Sequence, residues 1–525
     1  MPDLMAKKPL NVIMAEAHET GEHSLRRALG PTNLISLGIG AIIGTGIFVL
    51  TGTASAENAG PAIVLSFILA AVACVFAGLC YAEFASMIPV AGSAYTYGYA
   101  TLGEFIAWII GWDLILEYAL GAATVASGWS GYVLSFLGDL GIRVSPTLAG
   151  APGTPFVLYH GHWERLAGII MKLNLEHIDP ATLPTTTSSF NLFGFIGIAI
   201  VTVILVIGIK ESANFNSLIV IIKVAVLLVF LGLGASYIFG HRAEAIANWT
   251  PFLPKNTGHY GDFGISGIAT AAGIIFFAYI GFDAVSTAAQ EAKNPARDMP
   301  IGILGSLVIC TVLYILVALV LTGLVKYTNL DVPDPIAIGI DVTGVRWGSM
   351  LVKLGAICGL SSTMVVMLLG QSRVFFSMSR DGLLPAWASK VHPRFRTPYL
   401  STIFVGICVA LAGALTPINV LGEMVLIGTL LAFIIVCAGI WVLRRRGTPV
   451  KRAFVTPWVP FTPIMGIITS AYMMYSLKNA TWIRLVVWLV IGLIIYFAYS
   501  RHHSKVQQGH PEAVMQPAGD SYTGR

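Results

Sequence analysis

Glu117, Lys223 and Asp283 each lie inside a long apolar run of this 525-residue chain. A charge at the centre of a bilayer costs about 3 kcal/mol on insertion scales, so such residues face a cavity, pair with a partner or handle a proton. Lys223 stands in NSLIVIIKVAVLL. Its ammonium either snorkels to the interface or faces inward, where it could cap free carbonyls and exchange a proton. Glu117, in WDLILEYALGAATVASG, shares a helix face with Asp113 four residues earlier. Two carboxylates at that spacing make a like-charge site. Asp283 follows a glycine within FFAYIGFD and would either bind helix N–H groups, change protonation, or cap a broken helix.

Two stretches could give these residues something to act on. The first is Gly38-Ile39-Gly40-Ala41-Ile42-Ile43-Gly44-Thr45-Gly46-Ile47-Phe48. Each glycine costs a helix about 1 kcal/mol relative to alanine. Gly40 and Gly44 have the spacing of a helix-packing motif, but Gly44-Thr45-Gly46 is denser than packing needs. A dinucleotide loop is excluded, because Ile43 stands where the fingerprint needs glycine and no strand precedes it. The second stretch is Phe276-Phe277-Ala278-Tyr279-Ile280-Gly281-Phe282-Asp283. Backbone freed from a helix at membrane depth survives where it lines a cavity or binds a ligand. A half-helix N-terminus attracts a carboxylate and a half-helix C-terminus an ammonium, so two such interruptions suit a zwitterion. Phe277, Tyr279 and Ile280 are the expected walls of a side-chain pocket.

The rest of the chain is built to hold such a site in lipid. Hydrophobic residues make up 56% and charged residues 11%, against about 25% charged in soluble domains, so bilayer is the fitting solvent. A net charge of +5 calls for no nucleic acid. The six cysteines lie in apolar runs and read as small core residues. The eleven histidines lie in tails and connections, which argues against haem or zinc at depth. No HExxH or GxSxG occurs, and neither a catalytic residue, a metal site nor a cofactor is expected.

Runs of about 20 apolar residues predict an all-α integral membrane protein with twelve transmembrane helices, near 33–55, 61–86, 104–136, 190–208, 215–239, 265–288, 301–325, 348–377, 400–416, 419–443, 457–477 and 481–500. The interrupted first and sixth spans are five helices apart, an odd number, so a five-plus-five inverted repeat would bring both breaks face to face. The expected divisions are a cytoplasmic segment 1–32, a first repeat 33–239 with an extracellular loop 137–189, a second repeat 265–443, two peripheral helices 457–500 and a cytoplasmic tail 501–525. About 20 Lys and Arg fall on the side of the termini and about 9 opposite, which predicts both termini inside. Arg26, Arg27, residues 373–396 and the cluster 444–452 carry that bias. With no apolar core and cleavage site ahead of it, the first span is expected to target the chain.

These residues resemble the amino acid–polyamine–organocation superfamily, and within it the bacterial relatives of the cationic amino acid transporters. The resemblance rests on GIGAIIGTGIF, PVAGSAYTYGYATLGE from Pro89 to Glu104, GIKESANFN from Gly208 to Asn216, IGFDAVSTAAQEAKNPARDMPIGI from Ile280 to Ile303, and SRDGLLP followed by Thr397-Pro398. The Glu291, Asn294-Pro295, Arg297 and Pro300 pattern is the most specific part. The resemblance implies the five-plus-five architecture and amino acid uptake coupled to protons. It carries substrate contacts onto Ile42, Ile43, Gly44, Thr45 and Gly46, and onto Phe277, Ala278 and Ile280. Tyr279 joins them from its place in the interruption. Lys223 matches the lysine that proton-coupled members carry where sodium-coupled ones hold a cation. The pattern favours Glu117 as the buried member of its pair, with Asp113 solvated.

The expected function is therefore a proton-coupled symporter of L-amino acids, multi-pass in the plasma (inner) membrane, acting as a monomer by alternating access. Lys223, Glu117 and Asp283 are the candidates for the proton. Exchange of one amino acid for another and a non-transporting amino acid sensor are the alternatives. The absence of a carboxylate for a cationic side chain points to neutral substrates. Lys353 is expected to snorkel outward, Glu83 and Glu104 to pair with basic loops, Glu423 to sit at the exterior end of its span, and Trp347, Trp441 and Trp458 to anchor at interfaces. Gly359 to Ser362 would pack a helix, line the pocket or admit a cation.

Overall fold

The computed structural model describes residues 4–9, 29–88, 93–207, 213–287, 289, 292–332, 334–395, 397–445 and 452–509. Arg26, Arg27, Pro89 to Gly92, Gly208 to Ser212, Glu291, Arg396 and the 446–451 part of the basic cluster lie outside them, as do residues 510–525 of the tail.

The chain is mostly helical. Helix α1 (Pro31–Ile42) is followed by a π-helical turn Gly46–Leu50 and further helical turns to Ala59. Then come α2 (Ile63–Met87), α3 (Ser93–Thr101) and α4 (Glu104–Asp139). After a loop carrying α5 (Leu166–Leu175) follow α6 (Leu192–Ile207), α7 (Ala213–Gly240) and the short α8 (Arg242–Asn248). Next are α9 (Gly264–Ile275), α10 (Ala284–Thr287), α11 (Pro295–Leu324) and α12 (Pro335–Asp341). The chain continues through α13 (Arg346–Arg380), α14 (Tyr399–Leu415), α15 (Ile418–Arg445), α16 (Phe461–Tyr475) and α17 (Asn479–Ile495). Among the described residues, eight helical stretches are long and apolar enough to cross a membrane, while α1, α6 and α14 are shorter apolar helices.

The purely helical expectation needs correction within the loop before α6. Strands β1 (Pro155–Tyr159), β2 (His162–Arg165) and β3 (Thr185–Thr187) form an antiparallel sheet in the order β2-β1-β3, with Val157 opposite Glu164 and Thr185. Phe156 and Val157 are buried, and Val157 packs with Ile169 and Leu173 of α5 in a small separate core. That apolar pair gave no periodic signal long enough to read as a strand.

Large apolar side chains cover the outside. Ile200, Val203 and Ile207 on α6, and Ile221 and Leu228 on α7, are exposed, as a bilayer solvent requires and water would penalise. Lys223 on the same α7 is fully buried, so the helix turns its one deep charge away from lipid. The cysteines divide in the same way: Cys74, Cys80, Cys310 and Cys437 are buried, but Cys358 and Cys408 are exposed. The core expectation is corrected for those two, because an apolar run does not tell a lipid-facing side from an inner one.

Candidate binding site at two interrupted helices

The glycine run breaks its helix. Helix α1 ends at Ile42, Ile43 is extended (φ −71°, ψ 97°), and helical structure resumes at Gly46. The second interruption follows a 3-10 turn at Phe276–Tyr279: Ile280 turns out (ψ 135°) and Gly281 takes φ +112°, a conformation open to glycine at little cost. The two breaks pack against each other. A Cβ on Gly46 would collide with the backbone of Ala278, and one on Gly281 would lie 2.9 Å from the carbonyl carbon of Ala41.

The side chains around the breaks hold their freed carbonyls. Lys223 Nζ donates to Gly40 O at 2.7 Å, Ile43 O at 2.9 Å and Thr363 Oγ1 at 3.0 Å. Three donors and three acceptors satisfy the ammonium completely. Thr363 Oγ1 lies 3.2 Å from both Ile43 O and Gly359 O, so it relays the contact to α13. Tyr314 of α11 places its hydroxyl 2.8 Å from Ile42 O and 3.0 Å from Ala278 O, one carbonyl from each break. Its ring packs 5.6 Å from those of Phe67 and Tyr279.

What remains open faces the start of the second half-helix. The first amides of a helix have no acceptor within it, and here these are the ones ahead of Phe48, whose amide already donates to Gly44 O at 3.2 Å. Thr45 Oγ1 is fully buried there without a hydrogen-bond partner. The opposite wall is α4, where Gly128 is small enough that an added Cβ would sit 3.3 Å from Thr45 Cγ2. Ile42, Ile43, Phe277, Ala278 and Ile280 are all buried, so the site is closed in this conformation. Tyr279 is turned towards α2, with its hydroxyl on Phe67 O at 3.1 Å.

The carboxylates lie farther along α4 and beyond the second break. Asp283 Oδ1 accepts the Gly281 amide at 3.2 Å and Oδ2 accepts the Tyr118 hydroxyl at 3.3 Å, so it caps the turn into α10. Glu117 is buried with Oε1 unpartnered. Asp113 is 1% exposed with both oxygens unpartnered, packed against Gly428 of α15. The solvation expected for it is thereby corrected: its distance from the helix start counts for less than the cover from α15.

Of the other charges, Glu83 meets its expectation, and Lys353 and Glu104 differ from theirs. Lys353 does not reach solvent, because Asp139 at 2.7 Å and Asp341 at 3.1 Å hold it in a buried position. Glu83 pairs with Arg444 at 2.9 Å and Arg452 at 3.6 Å. Glu104 takes hydroxyl donors from Tyr99 and Tyr496 in place of the expected bases. Glu423 pairs with Lys478 and Arg484. Tyr314 and Thr363 were absent from the sequence expectations. Their signal was a hydroxyl in an apolar run, which alone does not distinguish a site from a helix-internal bond such as Thr322 makes to Ala318.

Broken helices packed back to back in a lipid-faced bundle, around a closed polar centre, define a multi-pass membrane carrier. Residues 29–501 match the family described as amino acid permease, and the chain belongs to that family. Membership places it among transporters and not enzymes. It is 45% identical to the branched-chain amino acid permease BcaP of Bacillus subtilis (strain 168), over 96% of this chain and 98% of that protein. It is 41% identical to the methylthioribose transporter of the same organism, over 96% and 99%. The vacuolar cationic amino acid transporter 4 of Arabidopsis thaliana is 30% identical over 92% and 93%.

Proposed function

We propose that this protein is a proton-coupled symporter that moves neutral, apolar L-amino acids across the plasma membrane by alternating access. One observation carries the reading: the two interrupted helices meet through Gly46 and Ala278, with Lys223 on the carbonyls of the first break. The open amides and the Thr45 hydroxyl would take the substrate carboxylate. Backbone carbonyls around Ala278 would take the ammonium, and Phe277 and Ile280 would face the side chain. Lys223 occupies the place a bound cation would need, so a proton replaces that cation as the coupled ion. Asp283 and Glu117 are the further proton candidates.

In this reading the repeats are 33–239 and 265–443, with 457–500 peripheral, twelve spans in all and both termini cytoplasmic. One chain holds every residue invoked, so a monomer suffices. The branched-chain name of a relative at 45% identity supports an apolar side chain. The methylthioribose name of another keeps a second substrate class in the test. In vesicles carrying the purified protein, labelled leucine should accumulate under an imposed proton gradient with no amino acid inside. Isoleucine and valine should compete, and arginine and methylthioribose should not. Uptake only into preloaded vesicles would mean exchange, and binding without uptake a sensor.

The Tyr314 bridge gives a narrower expectation. Tyr314→Phe keeps the ring packing and removes the hydroxyl from two buried carbonyls, a loss of about 1–3 kcal/mol. Leucine affinity should fall roughly tenfold. Affinity for 4-methylpentanoate, which has the carboxylate without the ammonium, should change little. Equal losses for both ligands in a competition assay would count against the ammonium assignment.

A further inference from the structure

Beyond the second break, buried polar atoms collect with nothing to bond. Among the described residues, Asp113 Oδ1 and Oδ2, Glu117 Oε1, the Tyr81 hydroxyl and both amide atoms of Gln371 are buried without a hydrogen-bond partner. They converge on one place. Asp113 and Glu117 share a face of α4. On α13, the Tyr118 ring lies 3.4 Å from where a Cβ on Gly370 would stand, and Met367 Sδ lies 3.5 Å from the same position on Gly121. That antiparallel register brings Gln371 level with Glu117. Helix α15 closes the third side, with Thr429 beside Glu117 and Gly428 against Asp113. From α2, the Tyr81 ring meets Phe282 at 5.8 Å and Phe433 at 5.5 Å, which puts its hydroxyl within electrostatic reach of Asp283 and Glu117.

The three carboxyls here are not equivalent. Asp283 has two donors, the Gly281 amide and the Tyr118 hydroxyl, which can serve a charge. Asp113 has no donor, and one oxygen of Glu117 has none. Neither forms an ion pair among the described residues. The other titratable groups in reach are Arg373 of α13, which acts on Tyr118, Tyr97 of α3, near Asp283, and Cys437 of α15, near Tyr81. A buried carboxylate with neither donor nor counter-ion is far costlier than the neutral acid, so a proton belongs on the α4 pair. Lys223 stands apart from this, since its ammonium already meets three acceptors at the first break.

We propose that Asp113 and Glu117 carry a second proton, beside the one assigned to Lys223, and that it leaves for the cytoplasm through Asp113 when substrate is released inward. The inference rests on the proton-coupled reading above. Asp113 lies nine residues, about 14 Å, inside the start of α4 at Glu104. Glu117 is one turn deeper, beside the Tyr118–Asp283 contact. Water bridging the unpartnered atoms passes the proton, one carboxyl O–H breaking as the next forms. Asp113 then gives it to cytoplasmic water and is left as the carboxylate until it is reloaded. Asp283 ties this transfer to the moving helix, because the amide it holds belongs to Gly281 in the break itself. Each leucine enters with two protons.

The test uses the full-length protein in vesicles, with the membrane voltage held at zero by potassium and valinomycin and one pH unit imposed. The leucine ratio at which net flux vanishes counts the protons, about 100-fold for two and about tenfold for one. Wild type should stand near 100-fold. Asp113→Asn should fall to about tenfold, and its binding of labelled leucine shows that the variant is folded. A wild-type ratio of about tenfold would overturn the second proton without recourse to any variant. A ratio of about 100-fold kept in Asp113→Asn would overturn Asp113 as its carrier. A ratio that no pH gradient moves, or net flux that needs leucine on both sides, would overturn the proton-coupled reading and the second proton with it.

Discussion

Lys223→Ala is expected to abolish proton-driven accumulation of leucine, with a loss of 100-fold or more, while the protein still inserts and folds. The substitution removes the donor from Gly40 O and Ile43 O, both inside the bundle. Ile43 O keeps only the Thr363 hydroxyl at 3.2 Å, and an orphaned Gly40 carbonyl costs about 1–3 kcal/mol, enough to displace the end of α1. Lys223→Met tests the ammonium apart from its bulk and should be equally inactive in accumulation. The measurement is uptake under a proton gradient at several external pH values. An alanine variant that still concentrates leucine, with unaltered pH dependence, would remove Lys223 as the coupling group and shift attention to Glu117 and Asp283. Substrate binding without a gradient should weaken less than accumulation, since the Gly40 and Ile43 carbonyls lie behind the first break.

The second large effect is expected at Gly46. Gly46→Ala drives a methyl group into the Ala278 backbone, where neither side can yield as a flexible side chain would. Overpacking of this kind costs about 1–3 kcal/mol. Because it acts between the two breaks and is present before substrate binds, thermal stability should fall, and leucine affinity should fall roughly fivefold or more as the breaks are pushed apart. Gly138→Ala is the matched control, since its added Cβ would meet nothing within 4 Å and its backbone, like that of Gly46, is not at positive φ. Direct binding of labelled leucine to both purified variants decides the matter. Wild-type affinity in Gly46→Ala would show that the breaks slide apart freely, against a fixed approach of Gly46 to Ala278.

The parts of this architecture that could be read from sequence are those written locally. Four glycines between Gly38 and Gly46 and the Gly281-Phe282-Asp283 turn mark backbone that a helix cannot keep regular, and both stretches are interrupted. The inward face of Lys223 was also open to inference, because the glycine run supplied carbonyls for it to meet. Partners brought by distant segments were not legible. Lys353 meets Asp139 from 214 positions away, and Asp113 is covered by Gly428 of α15. Nothing in the residues around either one tells that cover from lipid or water. Tyr314 was hidden for the same reason, since both its acceptors are main-chain atoms of other helices. The terminal segments were read by charge alone, which says on which side they lie and nothing about what they touch.

The Tyr314 hydroxyl has a chemical consequence of its own. It carries one hydrogen and stands within reach of two oxygens, so in any instant only one of them can be fully served. One oxygen of the pair is therefore left without that hydrogen at any moment. With the hydroxyl serving one oxygen, an arriving ammonium would serve the other, so that hydroxyl and ammonium complete the pair together.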